Sequence, residues 1–538
     1  VKKICFSDLK DNNLRENSFL RRLCPSLQPF SSMKLGSLFI FLTLLFSALI
    51  FTRCRKEKFT TDSADMLEFS RDTVFFDTVF TSIGSTTQYL VVRNKHNESI
   101  RISDIILENG TGSQYRINVD GIDGHEHHDV EILPNDSIYI FVEVTIDPTN
   151  QSLPFVVEDN LNFVTNGNEQ QVLLQAYGQD AFFHGGLNSC LNPISDTLLT
   201  DEIWDDSKPH VVYGIVMVPE NRSLTINAGA QVYCHGKSGI FVNGGSINID
   251  GDYQNEVVFQ GDRLEAEYDD EPGQWGIQLD CPIETGVGPS IASIIRGGIW
   301  IYQSPGSSID YAIIKNGNMG IQIDTTGVPY TSPAFSVVIT NTKILNMAGF
   351  GLWGQGGSIS GKNLLVANCG QCCAYLSLGG KYQMDNCTFA NYWQDNSRTA
   401  PAFALNNYYE DINENIQVRA LVDCDFNNCI MFGNNAFLTD FNEFVVDVDA
   451  TTTNDFKFRY CLVDTDQSVE DGGDVYTGMS NNQGPFFCNP SAGDFRVNSL
   501  GVLMEGQTGF ANYLQDDIEG ITWSPIMKGC YSYRQNCQ

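Results

Sequence analysis

Apolar and polar residues alternate in short runs along most of this chain, the period-two signature of half-buried strands. Between residues 66 and 180 the runs fall at 73–80, 88–93, 100–107, 129–133, 137–146, 160–164 and 171–177. Turn residues separate them, among them Asn109-Gly110, Pro134-Asn135-Asp136 and Asn166-Gly167-Asn168. About seven short strands at regular spacing predict a β-sandwich of immunoglobulin type over 66–180.

The second half repeats. Residues 311–316, 341–346, 363–368, 386–391, 423–428 and 460–465 read YAIIKN, NTKILN, NLLVAN, NCTFAN, DCDFNN and YCLVDT. Position two is small or apolar, position four is apolar, and Asn ends five of the six. The starts lie 30, 22, 23, 37 and 37 residues apart. A strand-length motif at this period marks a coiled solenoid in which each repeat is one rung. Residues 224–251 add closely spaced strands broken by Gly and Asn. Successive parallel strands ordinarily need long crossovers, and a solenoid avoids them by pairing each rung with the next. The expected fold is all-β: an immunoglobulin-like β-sandwich followed by a right-handed parallel β-helix over 185–538. In this reading Asn316, Asn346, Asn368, Asn391 and Asn428 share one turn in successive rungs. Asn tolerates left-handed backbone, and stacked amides can bond along the axis.

These residues carry family resemblances. Residues 130–148, 160–167 and 172–180 resemble hydin-like immunoglobulin modules, which implies a spacer or interaction platform. The rungs over about 210–490 resemble pectate-lyase-like β-helix proteins. Residues 484–498, then Asp517-Ile518-Glu519-Gly520 and Gly529-Cys530-Tyr531, resemble the closing element of extracellular β-helix proteins, which implies a cap on the last rung.

Residues 1–32 look like neither signal nor domain, and Met33 is a better start. Met33-Lys34, the apolar run 35–51 and Cys54 resemble a bacterial lipoprotein signal peptide, with 33–53 as signal or membrane anchor and 54–65 as linker. Lipid attachment would fall on Cys54, and an uncleaved anchor is the alternative. Either places the rest outside the cytoplasm, at the outer membrane of a Gram-negative bacterium, as in the uncharacterised β-helix lipoproteins the chain resembles. The net charge of −33 repels phosphate backbones and argues against a nucleic-acid partner.

Candidate chemistry is sparse. His125, His127 and His128 read as a polar loop without a second ligand cluster. Thirteen Cys follow Cys54, an odd number. Cys387, Cys424 and Cys461 hold position two and read as core, as do Cys369, Cys372 and Cys373. Cys530 and Cys537 are the expected disulfide. The loop Asp262, Glu265, Glu267, Tyr268, Asp269, Asp270, Glu271 and Trp275 is the candidate site: its carboxylates suit calcium, and Tyr268 and Trp275 could face a sugar. Trp300, Trp353 and Trp393 lie in or near rungs. Asp-Asp pairs occur at 205–206, 269–270 and 516–517, but the other motifs of polygalacturonase-type enzymes are missing, and no Ser elbow or phosphate loop is present. The expectation is non-catalytic binding of a glycan or another surface ligand at the cell envelope. The alternative is a polysaccharide lyase or glycoside hydrolase with an atypical site.

Overall fold

The computed structural model describes residues 58–149, 154–186, 194–285, 288–324, 334–410, 414–434, 441–471, 473–498, 505–509, 514–534 and 537. Cys54 and the apolar run before it lie outside them. Among the described residues no helix is long and apolar enough to cross a membrane.

The first unit is an immunoglobulin-like sandwich of two five-stranded sheets. One orders Glu68–Phe69, Gln88–Arg93, Ser137–Val144, Tyr115–Val119 and Ile122–Gly124. The other orders Thr73–Phe80, Asn168–Gln179, Phe155–Thr165, Ile100–Leu107 and Glu126–Ile132. Alternation sends Leu90, Ile117 and Val142 inward to meet Ile102, Phe163 and Leu174. Of His125, His127 and His128, only His125 lies in a bend between strands. His127 and His128 belong to Glu126–Ile132, which pairs with Ile100–Leu107. His127 is buried, and its pKa is lowered by that burial. The His128 Nδ1 lies 2.8 Å from an Asp104 carboxylate oxygen.

The second unit begins at Phe182–Gly185 and is a right-handed parallel β-helix of three sheets with nine, ten and eleven strands. Each rung visits them in that order, here named first, second and third faces. Pairing stacks like positions: on the first face Ile240, Ile299, Ile321, Leu352, Ala374, Phe403 and Phe444 form one inward column. All are buried in one continuous core. Each large apolar side chain so buried contributes about 1.5–3 kcal/mol.

The corner from second to third face sets the repeat. Strand pairing aligns Tyr311, Asn341, Asn363, Asn386, Asn428 and Tyr460 there. All have left-handed backbone, with φ between 46 and 54°. The next residue turns inward and must be small or apolar: Ala312, Thr342, Leu364, Cys387, Cys429 and Cys461. This register corrects one copy of the repeat. Cys424–Asn427 is a second-face strand, and the true equivalent of 386–391 is 428–433. The overlapping motifs share Asn428, and both carry Cys in position two, so pattern alone chose the wrong frame. Asn428 therefore leaves the proposed ladder, and Gly433 stands opposite Asn391. Cys429 replaces Cys424 in the thiol column. Of the remaining ladder, the Asn346 amide donates to the Asn316 carbonyl oxygen at 2.9 Å. Asn391 instead donates to the backbone carbonyls of Cys369 and Gln371 at 2.8 and 2.7 Å. The Asn368 side-chain oxygen is buried with no hydrogen-bond partner.

The C-terminal segment is a strap along the third face rather than a lid on the last rung. Phe487, Phe495, Val497, Ile518, Met527, Cys530 and Tyr531 pack on the outward side chains of Leu365, Ala367, Ala390, Ile430 and Leu462. Corner asparagines hold its backbone. Asn363, Asn386 and Asn428 donate to the carbonyls of Asp516, Met527 and Gln507 at 2.8, 2.7 and 3.0 Å. Buried Asp517 accepts the N–H groups of Glu519 and Ile521, both at 2.9 Å, closing the turn in which Gly520 has φ 67°. It also pairs with Arg534 at 2.8 Å. Among the described residues a disulfide joins Cys488 to Cys537. Cys530 is free and buried, because the third face takes its side chain beside Thr388.

Asn386→Leu should cost about 1–2 kcal/mol for the left-handed backbone and about 1–3 kcal/mol for the unpaired Met527 carbonyl. Asn386→Gly keeps the backbone and should lose less. Urea midpoints measure both; equal losses would remove the backbone contribution.

Candidate functional site

Inward alternation on the first face forces the next residue of each strand outward. Pairing lines up Met217, Phe241, Trp300, Gln322, Trp353 and Tyr375 in one outward row. Two residues further along each strand, Asn243, Tyr302, Asp324, Gln355 and Ser377 form a second row. Asn406 and Asp447 pair on the last two strands of this face. The rings are half-buried and group into two platforms. Phe241 and Trp300 stack at 4.2 Å between centroids, with Tyr302 edge-on to Trp300 at 6.3 Å. Phe350, from the preceding turn, stacks on Trp353 and Tyr375 at 5.4 and 5.6 Å. Between them Gln322 is buried, its side-chain oxygen accepting the Gly297 N–H at 3.0 Å.

Polar groups fix these rings. Trp353 Nε1 donates to the Ser377 hydroxyl at 3.1 Å, and the Asn406 amide donates to the Tyr375 hydroxyl at 3.2 Å. Burial pushes the Tyr375 phenol pKa up, so it stays neutral. The Arg296 guanidinium lies 5.4 Å from the Trp300 ring centroid. An aromatic face beside amides and hydroxyls is amphipathic in the sense a sugar ring requires: apolar C–H surface on one side, hydroxyls at the rim.

Of the tryptophans singled out from sequence, only Trp300 and Trp353 are on this face. Trp275 is fully buried; its Nε1 donates to the Lys315 carbonyl at 2.8 Å. It is core and offers no face to a sugar, because its strand-adjacent position points into the solenoid. Trp393 is 8% exposed and also core. Phe241, Phe350 and Tyr375 were missed. Their signal is their place relative to the inward column, which needs the rung register.

The acidic loop does not converge. Asp262 pairs with His235 at 2.7 Å. Glu265 pairs with Arg263 at 3.1 Å and accepts from the Thr86 hydroxyl of the sandwich at 2.7 Å. Tyr268 lies under the Arg263 guanidinium at 3.9 Å. Glu267, Asp269, Asp270 and Glu271 point to solvent. The loop is held by its backbone: Asn316 donates to the Asp269 carbonyl at 2.6 Å, and Asn346 to that of Asp270. Among the described residues no three His, Cys, Asp or Glu side chains are grouped so that they could hold a metal ion.

Two solenoid carboxylates have raised pKa values, both through burial. Glu443 is paired with Arg398, whose guanidinium donates to both carboxylate oxygens at 2.5 and 2.8 Å. Asp385 accepts from Asn427 and Gln383 at 2.8 and 3.0 Å. One rung on, Asp425 stands opposite Gln383 and pairs with Arg459 at 3.0 Å. The free thiols among the described residues are all buried. Burial raises the pKa of Cys373, Cys429 and Cys461 far above the usual range, which leaves them protonated and unreactive.

No family profile and no curated protein matches this chain. Among solved structures it is similar to the catalytic unit of a thermostable GH87 α-1,3-glucanase from Streptomyces thermodiastaticus. The identity is 11% and the TM-score 0.24, over 73% of this chain and 89% of that one. PapD-like domain 7 of human CEP192 is similar at 8% identity and TM-score 0.15, over 22% of this chain and 85% of that one. A family 123 glycoside hydrolase from Clostridium perfringens is similar at 10% identity and TM-score 0.16, over 21% of this chain and 26% of that one. The matched region thus spans about a quarter of the clostridial enzyme. At TM-scores this low, none of the three carries an activity over to this chain.

His235 owes its raised pKa first to the hydrogen bond with Asp262. A raised folded value means the pair stabilises the fold below about pH 6.5, the unfolded value. That contribution is lost as pH rises through the folded value. NMR titration should show His235 titrating above the ordinary value and returning to it in Asp262→Asn. An unshifted wild-type His235 would show that the ion pair does not form.

Proposed function

We propose that this protein is carbohydrate-associated and that the first face of its β-helix holds a glycan. The observation that carries this reading is the outward aromatic row with its flanking row of amides and hydroxyls. Such rings gain apolar contact with a sugar without chemistry, and the amides and hydroxyls supply orientation.

A second reading, a polysaccharide hydrolase or lyase, is favoured by one observation. Asp385 and Asp425 sit on adjacent rungs and two residues apart along the strand, a diagonal of about 8 Å between backbones, within the ~5–10 Å a glycosidase pair needs. One of them, Asp385, has a pKa raised by burial, the direction expected of a general acid. Against it, Asp385 is 1% exposed, so substrate reaches it only if that site opens. The carboxylates on the aromatic face serve less well. Asp324 and Asp447 are four rungs apart, about 19 Å at that spacing.

Titration with neutral and uronic-acid polysaccharides tests both readings. Trp353→Ala should weaken binding at least tenfold, with no new reducing ends or unsaturated products. Products that disappear in Asp385→Asn would establish the second reading instead. A wild-type protein that neither binds nor cleaves any glycan would remove both.

The proposed location is outside the cytoplasm, tethered through a lipid on Cys54. Its support is the basic residue, apolar run and Cys of 33–54. Expression with labelled palmitate in a lipoprotein-competent host should label the protein but not Cys54→Ser. Equal labelling of the two would eliminate this tether.

A further inference from the structure

The aromatic row is not uniform, and its division points to the form of the ligand. Phe241 and Trp300 occupy adjacent rungs, as do Trp353 and Tyr375. Gln322 stands between the pairs, drawn down by its bond to Gly297. The two platforms are therefore discrete. Their midpoints are three rungs apart, about 14 Å along the axis. A single sugar ring covers one platform and cannot reach the other.

The charges nearby are equally selective. The second row presents Asn243, Tyr302 and Gln355, all neutral, plus the carboxylate of Asp324, while Ser377, also neutral, is buried. Asp447 adds a second carboxylate at the far end of the face. Among the described residues of the two rows there is no Lys or Arg. The guanidinium of Arg296 lies over the Trp300 ring, at one platform only. The whole chain carries −33. A polyuronate would bring a row of negative charge to a face whose described rows hold no cation and where Arg296 lies at one platform, and like-charge juxtaposition opposes association. Hydroxyls, by contrast, find donors and acceptors in the amides.

Resting on the glycan reading above, we infer that the ligand is a neutral oligosaccharide lying along the β-helix axis and held at both platforms at once. A short oligosaccharide fills one platform. A longer one reaches the second without a second loss of translational freedom, so its affinity rises by effective concentration rather than by a new kind of contact. The acidic surface then excludes uronic-acid polymers and leaves neutral ones.

The test is calorimetric titration of the full chain with glucose- and mannose-based oligosaccharides, from disaccharide to octasaccharide. Oligogalacturonates of matched length are run in parallel, at low and high salt. Affinity for a neutral series should rise at least tenfold once the chain spans both platforms. Trp300→Ala and Trp353→Ala should each remove that rise and return the long chain to short-chain affinity. The double substitution should abolish binding. Trp353→Phe, which keeps a ring, should restore most of the rise and separates loss of the platform from loss of the fold. Oligogalacturonates should bind at least tenfold more weakly than the neutral series, more so at low salt. A preference for oligogalacturonates, or affinity independent of length, would overturn this inference while leaving glycan binding intact. No binding of any sugar would overturn the glycan reading as well.

Discussion

Six corner residues with left-handed backbone hold this architecture in register. L-residues resist that conformation by about 1–2 kcal/mol, and Asn resists it least among residues that also bring a side-chain amide. At Asn341, Asn363, Asn386 and Asn428 both properties are used. The backbone swings the chain from second to third face in two residues. The next side chain is thereby sent inward, into the column that ends in Cys387, Cys429 and Cys461. Three of the corner amides, left outside, hold the C-terminal strap by its carbonyls. Asn316 and Asn346, at the other end of the same strands, hold the acidic loop in the same way. The ladder expected among amides is thus mostly a set of grips on external backbone. Tyr311 and Tyr460 adopt the same backbone at the two ends of the series.

Much of this was legible in the chain. Thr73–Phe80, Gln88–Arg93 and Ile100–Leu107 appear where alternation predicted them, because their inner faces meet a core and their outer faces meet solvent. The repeat was readable because corner geometry constrains two residue types at once. It failed at 423–428, where two frames overlap, both satisfy positions two and four, and only the wrong one ends in Asn. The short strands Tyr115–Val119 and Ile122–Gly124 were missed, as their polar outer positions and intervening Asp120-Gly121 read as loop. Asp517 was visible as a motif, but not as the acceptor around which the strap folds.

The candidate face was half legible for a different reason. A tryptophan is as consistent with core as with surface, and Trp275 and Trp300 differ in which way the local backbone points the ring. That direction follows from register, a property of the neighbouring rung and not of the local sequence. The disulfide was missed for the same kind of reason. Cys530 is closer to Cys537 in sequence than Cys488 is, but its side chain is taken by the third face, while the hairpin carrying Cys488 meets the chain end.

The strap has a mechanical consequence. A bare solenoid is a one-dimensional stack in which each rung feels only its neighbours, and under load it can peel from an end. Here a single segment is fastened at Asn363, Asn386 and Asn428 and shares apolar contacts with strands from Leu365 to Leu462. These rungs cannot separate singly without releasing the segment from several at once. The strap turns that stretch from a zipper into a splinted beam, whose rungs yield together.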